Sequence, residues 1–358
     1  GGYSLTIANP NAGGTIYYTI DGSDPRLPGG AVSGTALTYL TPVSLADSVT
    51  VKSRILLAGT WSALTEAYFS VATIPASAAN LVISEFSYNP ANASSDEINA
   101  GFANANDFEF LEIHNISAAK VDLRGCSFTA GISFNFSTGQ ILELPPGGRA
   151  IVVENAAAAA FRYGPGLPVA GEFELNTGLS NSGETITLTG PGGAVIKSFT
   201  YNDKNPWPTA ADGSGYSLVL IRPASNPDHS VAQNWRPSAT PAGNPGGTDI
   251  TGYAAWKTSH GVGSDHADDD QDGVSNVTEY LLKTDPASAS STPVLGGGIQ
   301  TLSVDPGPGL PAVPGDYLTL TFTRDPGADD VIYTPEVSTD LGIWSASMAD
   351  LVRVSVTP

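Results

Sequence analysis

Apolar and polar residues alternate along two stretches near the start of the chain, 15–20 and 49–57. The apolar residues at every second position are Ile16, Tyr18, Ile20, Val49 and Val51. A period of two places these side chains on one face of an extended strand, so both stretches are predicted to be β-strands. Asp21-Gly22 is typical of a turn and is predicted to separate them. The pattern predicts a small β-domain over residues 1–74.

Six further short apolar runs follow, separated by turns rich in Gly, Pro and Asn. They predict strands near Leu81–Phe86, Phe108–His114, Arg149–Val153, Thr185–Leu188, Ala194–Tyr201 and Tyr216–Ile221. One short helix is predicted at Ala156–Tyr163, with Asn155 as its N-cap. Strands of this length on such turns are typical of an immunoglobulin-like sandwich, here spanning residues 80–247.

Composition agrees with a mainly β fold built from several domains. The 358 residues include 40 Gly and 27 Pro, and long amphipathic helices are scarce. A chain of this length is expected to hold two to four domains. The net charge of −20 argues against nucleic acid and anionic membranes as partners, because both are polyanions. No stretch approaches the roughly 20 apolar residues that a membrane-spanning helix needs.

The run DDDQDGVSNVTE at residues 268–279 carries the strongest chemical signal. Its spacing is that of an EF-hand loop, which needs oxygen ligands at positions 1, 3, 5, 7, 9 and 12 and a glycine at position 6. Gly273 occupies position 6, and the predicted ligands are Asp268, Asp270, Asp272, the Val274 carbonyl, Asn276 and Glu279. Hard oxygen ligands in this order predict bound Ca²⁺.

The flanks of this loop have helical character. An entering helix is predicted from Thr251 to His260, ending at Gly261, and Asn276 is predicted to cap an exiting helix. From Asp265 to Asp285, both included, there are seven acidic residues and one lysine, so the segment repels itself without a cation. Only one such loop occurs, which favours a static structural site over a calcium switch.

Candidate catalytic residues do not form a recognisable pattern. Four histidines are scattered without metal-ligand or triad spacing, namely His114, His229, His260 and His266. Glu109 and Glu112 are expected to face opposite sides of a strand, whereas Glu85 and Glu112 could approach across neighbouring strands. We therefore predict that the chain is not an enzyme and turns over no glycosides, esters or phosphodiesters.

Two further residues have more than one interpretation. Trp207 lies between two prolines, where an exposed ring could stack on a sugar; a plug over one end of the sandwich core is the preferred interpretation. Cys126 is the single cysteine, so the chain can form no internal disulfide. Burial as a small hydrophobe is favoured over a role as nucleophile.

Longer sequence strings resemble known modules. The strings TIYYTIDGSDPR and EAYFSV resemble the fibronectin-III-like module at the C-terminus of chitobiases and β-hexosaminidases. The strings LVISEFSYNP, DFEFLEIHN, LPPGGRAIVV and NPWPTAADGSGYSLVL resemble a bacterial lamin-tail domain. Asp268 through Pro286 is similar to thrombospondin-type-3 and dockerin-like calcium segments. These resemblances imply accessory or scaffolding modules of large secreted bacterial proteins.

The expected fold is a series of immunoglobulin- or fibronectin-like β-sandwiches with one small helical calcium segment. The expected domains are residues 1–74, 80–247, 248–290 and 299–358, the last a small or incomplete β-sandwich. Because the chain opens Gly1-Gly2, we expect it to be a piece of a longer protein.

Two functions fit this organisation. The first is a non-catalytic, calcium-stabilised structural, adhesive or assembly region of a secreted or cell-surface bacterial protein. Its expected partners are other modules of the same long chain, and polysaccharide or other surface proteins. The alternative is an accessory polysaccharide-binding region of an extracellular hydrolase or a CotH-type kinase-like protein whose catalytic domain lies elsewhere.

Overall fold

A computed structural model of the chain describes residues 3–174, 177–249, 252–304, 313–325 and 327–347. The chain divides into two compact units. The first comprises Gly1–Pro75 and Ala119–Asp122, and the second comprises Ala76–Ala118 and Leu123–Pro358. Both are mainly β in their described parts, with many antiparallel strand pairs and few helices. No helix of the described ranges has the length and apolar character needed to cross a bilayer.

The first unit contains one larger sheet and a small core. Its leading strands are β1 (Tyr3–Leu5), β2 (Thr15–Thr19), β3 (Leu37–Thr38), β4 (Val43–Leu45), β5 (Val49–Leu57), β6 (Thr60–Trp61), β7 (Thr65–Phe69) and β8 (Thr73–Pro75). The strand order is β3-β2-β5-β6, with β7 also paired to β5, while β1 pairs with β4. Tyr18, Val51 and Val71 form the core with Leu5 and Leu45. Ile16, Tyr18 and Val51 are buried as the alternation predicts, whereas Ile20 lies beyond the end of β2 and is 46 % exposed.

The second unit begins with the strands of a sandwich. They are β9 (Leu81–Ser87), β10 (Phe110–Asn115), β12 (Ser127–Ala130), β13 (Phe134–Asn135), β14 (Glu143–Leu144), β15 (Arg149–Val153), β16 (Val169–Glu172), β17 (Thr185–Thr189), β18 (Val195–Thr200), β19 (Leu218–Leu220) and β20 (Trp235–Pro237). Strand β11 (Lys120–Asp122) lies between β10 and β12 in sequence and belongs to the first unit, where it pairs with β8. All six strands predicted for this region are found, with ends that differ by two residues or fewer.

Two sheets of the second unit enclose an aromatic core. One sheet has the order β16-β15-β10-β9-β19-β20, and the other has the order β13-β12-β17-β18. Phe86 of the first sheet lies 6.1 Å from Phe199 of the second, between ring centroids, and 5.2 Å from Trp235. Trp207 is 6 % exposed and stacks on Phe199, so its interpretation as a core plug is confirmed. Cys126 is buried, as predicted.

The described ranges contain four α-helices beside these sheets. They are α1 (Ser95–Asn99), α2 (Ala156–Tyr163), α3 (Tyr253–His260) and α4 (Asn276–Leu282). The Asn155 side chain accepts hydrogen bonds from the backbone N–H groups of Ala157 and Ala158, which confirms the predicted cap of α2. A two-stranded antiparallel ribbon follows, β21 (Leu295–Val304) with β22 (Val313–Phe322). Residues 305–312, 326 and 348–358 of the predicted C-terminal sandwich lie outside the described residues.

Helix α1 is tied to α2 by a buried ion pair. Arg162 Nε donates to Glu97 Oε1 at 2.7 Å, and Ser94 N–H donates to Glu97 Oε2 at 2.7 Å in a capping box. The Arg162 guanidinium also lies 3.3 Å from the centroid of the Phe108 ring. The hydrogen bond from Arg162 lowers the pKa of Glu97 from its ordinary 4.5 to about 2.

Replacing Glu97 by glutamine is expected to lower the free energy of unfolding by about 1–2 kcal/mol at pH 7, because Arg162 loses its anionic partner. The depressed pKa means that the carboxylate stabilises the fold above pH 4.5 and loses this effect as the pH falls towards 2. Urea unfolding of both proteins should show their difference shrinking over that interval. Glu66→Gln is the control, because Glu66 is 52 % exposed and its pairing with Lys52 is expected to contribute little. A difference that does not depend on pH would contradict the assignment.

Candidate metal centre

The loop between α3 and α4 brings three carboxylates together. One oxygen from each of Asp268, Asp270 and Asp272 lies within 4.8 Å of the others. The loop is folded by its own side chains: Asp272 N–H donates to Asp268 Oδ1 at 3.1 Å, and Gly273 N–H donates to Asp268 Oδ2 at 2.8 Å. Gly273 has φ of +94°, which a residue with a side chain rarely adopts. The backbone conformation at position 273 therefore favours the same residue, glycine, that the EF-hand spacing requires there.

Several buried oxygen atoms at this loop have no partner among the described residues. They are Asp270 Oδ2, Asp272 Oδ2, Asn276 Oδ1 and both carboxylate oxygens of Glu279. Glu279 and Asn276 are both fully buried, with 0 % exposure. An unpaired carboxylate costs several kcal/mol when removed from water, so native proteins pair such groups or bind a cation to them. The orphaned oxygens belong to four of the six predicted ligands and fit a hard cation.

The electrostatics of the loop lead to the same conclusion. Burial and, after it, the nearby charges of Asp270, Asp272 and Asp268 together raise the pKa of Glu279 to about 7. Burial also raises the pKa of Asp270. A bound divalent cation reverses this situation, because its charge favours the ionised form of every ligand. Cation binding and ionisation of Glu279 are thus linked.

Residues beside the loop fix its two ends. The Asn276 side chain donates from Nδ2 to the Ser264 carbonyl at 2.7 Å, which leaves its Oδ1 facing no described donor. The Asn276 N–H donates to the Ala267 carbonyl. The prediction that Asn276 caps α4 is wrong by one position, because Ser275 is the extended residue before the helix and Asn276 is the first helical residue. Val274 follows Gly273 and donates its N–H to Asp272 Oδ1 at 2.7 Å.

The two helices share a small apolar core. Trp256, Tyr280, Leu281 and Ala328 are buried together. Helix α3 ends at Gly261, whose φ of +71° confirms the predicted stop signal. Thr251, the predicted start of that helix, lies outside the described residues, and the described helix begins at Tyr253.

A segment that we call the clasp, residues 325 and 327–331, joins the helices to the six-stranded sheet. Asp325 N–H donates to the Leu281 carbonyl at 2.8 Å. Asp330 accepts from Tyr253 N–H at 2.6 Å and from the Tyr280 hydroxyl at 2.8 Å. Asp329 accepts from Arg236 of β20 at 2.7 Å. The clasp therefore contacts both α3 and α4 and the edge strand of the sheet.

The Arg236 guanidinium is the buried centre of this connection. It is 3 % exposed and forms ion pairs with Asp329 and Asp249, which are both 4 % exposed at their side chains. Sequence reasoning missed this triad, because Arg236 and Asp329 are separated by 93 positions and neither belongs to a motif.

The carboxylates considered as catalytic candidates lie in the same sheet. Glu85 and Glu112 are direct cross-strand partners, and each is 2 % exposed or less. Burial and the charge of Glu112 raise the pKa of Glu85 to about 8. Glu109 is separate and accepts from Leu179 N–H at 2.8 Å. The predictions that Glu85 and Glu112 approach each other and that Glu109 faces elsewhere agree with this geometry.

Both paired carboxylates hold one loop segment onto the sheet. Glu85 Oε1 accepts from the Ser217 hydroxyl at 2.6 Å and from Asn244 N–H at 3.0 Å. Glu112 accepts from Arg149 Nε at 3.0 Å and from Gly246 N–H at 2.6 Å. We call residues 242–249 the strap. The hydrogen bonds from Asn244 and Gly246 attach the strap to Glu85 and Glu112.

Comparison with known proteins identifies two modules. Residues 74–203 match the family model described as Lamin Tail Domain, and residues 5–65 match the model described as Fn3 associated. No curated protein matches the chain. The crystal structure of a DUF4876 family protein from Bacteroides thetaiotaomicron is similar at 12 % identity, over 64 % of this chain and 92 % of that chain, with a TM-score of 0.31. The chain is therefore a mainly β, multi-module protein in which an Fn3-associated match is followed by a lamin tail match.

Proposed function

We propose that this chain is a non-catalytic, calcium-stabilised structural region, used for adhesion, spacing or assembly, of a secreted or cell-surface bacterial protein. The observation that carries the proposal is the set of buried, unpaired oxygens around Glu279. Such a set has a large energetic cost in the absence of a cation and a low cost with one.

The ligands proposed for Ca²⁺ are the side chains of Asp268, Asp270, Asp272, Asn276 and Glu279 and the backbone carbonyl of Val274. Their order along the loop is that of an EF-hand, and every donor is a hard oxygen. The bound ion supplies two positive charges to a segment that is otherwise strongly acidic. This favours a structural role, since a site formed by one loop leaves little space for a substrate.

The support for a non-catalytic role comes from the best catalytic candidates. Glu112 is engaged by Arg149, Ser84 and a strap N–H, and Glu85 by Ser217 and another strap N–H. A general acid or base must reach a substrate proton directly or through one water molecule. These two carboxylates instead stabilise the packing of the strap.

The proposed consequence of calcium binding is ordering of the α3–α4 segment and, through the clasp, of its contact with the lamin-tail sheet. The contacts of Asp330 with Tyr253 and Tyr280 depend on the two helices being correctly placed. Other modules of the same long chain remain the proposed partners.

Isothermal titration of chelator-treated protein with CaCl₂ is expected to show one ion bound per chain. Glu279→Gln should abolish the heat of binding, because the glutamate is the bidentate ligand at position 12. Asp269→Asn is the matched control, since Asp269 is an exposed acidic residue at the non-ligating second position. Equal loss in both variants would mean that the loop attracts cations only through its net charge, and the proposal would fail.

A further inference from the structure

One face of the six-stranded sheet carries charged side chains in register. Glu112, Glu85, Val219 and Arg236 are successive cross-strand partners on β10, β9, β19 and β20. A sandwich normally exposes this outer face to water, and polar residues there need no partner. Here the strap and the clasp cover it, and Glu112, Glu85 and Arg236 are all buried. The strap and the clasp therefore separate the charged side chains of this face from bulk water.

The covers leave a cavity of about 410 Å³ over this face. That volume lies within the range of small-molecule sites, about 300–1,000 Å³. Apolar side chains form part of its wall, among them Val219, Leu220 and Ala224. Ile332 also lines the cavity and is 72 % exposed, so the cavity reaches the surface on that side.

Two polar groups in the wall have unused hydrogen-bonding capacity. His114 is 9 % exposed, and its Nδ1 is buried without a partner in the described part of the chain. Arg149, its direct cross-strand partner, uses Nε to reach Glu112, and neither of its Nη groups forms a hydrogen bond or ion pair with a described residue. A guanidinium with both Nη groups available presents a planar fork that matches a carboxylate.

The charges around the cavity limit the ligand. Arg149, Arg222 and Arg236 are opposed by Glu112, Asp249, Asp329 and Asp330, all of which line it. Burial and the neighbouring Arg149 lower the pKa of His114 to about 4, so this ring is neutral near pH 7. An environment with this balance accepts one negative charge from a ligand more readily than two.

We propose that this cavity binds a small amphipathic monocarboxylate, with the carboxylate on the guanidinium of Arg149, beside the His114 ring, and the apolar part against Val219 and Leu220. The proposal does not depend on calcium binding, because none of these residues belongs to the loop. It assigns a ligand site to the outer face of the lamin-tail sheet.

The test uses benzoate as the probe, benzamide as its neutral counterpart and phenyl phosphate as a dianion of similar shape. Imidazole signals of the calcium-loaded protein are followed by NMR, and the His114 signal is identified by its loss in His114→Gln. Benzoate is expected to shift this signal in a saturable manner and to bind at least about tenfold more tightly than benzamide, a ratio that corresponds to one well-formed ionic contact.

Arg149→Lys keeps the charge beside Glu112 and loses the planar fork, so it is expected to weaken benzoate binding about tenfold. Arg26→Lys is the control, because Arg26 is exposed and belongs to the first unit. Unchanged melting temperatures establish that both variants are folded. The affinity of benzoate for His114→Gln, measured from backbone amide signals, reports separately on the contribution of the His114 ring to binding.

Three results would overturn the proposal. Absence of any shift with benzoate would show a cavity that holds only water. Equal binding of benzamide, or benzoate binding that is insensitive to Arg149→Lys, would show an apolar void with no carboxylate site. Tighter binding of phenyl phosphate would contradict the preference for a single negative charge.

Discussion

Asp329→Ala is expected to lower the free energy of unfolding of the second unit by about 3–5 kcal/mol, the range typical of a broken buried ion pair. The reason is the position of Arg236, which is 3 % exposed and keeps only Asp249 as a charged partner after the substitution. The clasp also loses its anchor on β20. Chemical unfolding followed by tryptophan fluorescence measures the change, since Trp235 is adjacent to Arg236 and fully buried.

Two further variants sharpen this experiment. Asp47→Ala removes an exposed carboxylate in the first unit and is expected to change stability by less than about 0.5 kcal/mol. Replacing Arg236, Asp249 and Asp329 together by apolar residues of similar volume is expected to recover part of the loss, because no unpaired charge is then buried. If Asp329→Ala lowers the free energy of unfolding by less than about 1 kcal/mol, water must reach Arg236. The clasp then does not exclude solvent from this side chain.

Removal of calcium is expected to produce the second largest effect. At a free calcium concentration one hundred times the dissociation constant, the bound ion contributes about 2.7 kcal/mol to the stability of the folded segment. Differential scanning calorimetry with and without chelator should therefore show a lower transition temperature for the region that contains α3 and α4. Glu279→Gln should melt at the same temperature in both conditions.

The direction in which Glu279→Gln changes the stability of the protein provides an independent check of the proposed calcium site. In chelator, the variant should be at least as stable as the natural sequence, because glutamine removes a buried carboxylate that burial and three aspartates disfavour. In calcium, the order should reverse. Asp269→Ala should retain most of the calcium-dependent shift. Identical melting profiles for the natural sequence in both conditions would leave the loop without a structural ion.

Residues that act locally were predictable from the sequence. The close approach of Asp268, Asp270 and Asp272 follows from their spacing within one short loop, and the strands of the sandwich follow from runs of apolar residues between turns. The Asn155 cap was found for the same reason, since a cap involves residues two and three positions away. The Asn276 cap was misplaced by one residue, because its side chain bonds to Ser264 and leaves Ser275 as the extended residue.

Groups that act across long separations were not predictable. Arg236, Asp249 and Asp329 are single charged residues in unremarkable stretches, and only the fold brings them together. The cavity over Glu85 and Glu112 depends on where the strap and the clasp lie. Sequence patterns report which face of a strand is apolar, and they carry no information on which distant loop will cover the other face. The approach of Glu85 to Glu112 was one of several possible pairings until the register was known.

The clasp has a consequence for the order in which the chain folds. Contacts within the loop between α3 and α4 span a few residues, whereas the bond between Arg236 and Asp329 closes a loop of 93 residues. Closing so long a loop has an entropic cost that is recovered only when both ends are already structured. During synthesis the ribosome must pass residue 329 before Arg236 can gain its second carboxylate partner and the cover of the clasp. The sheet edge therefore stays hydrated and open until late, and its closure marks the completion of this part of the molecule.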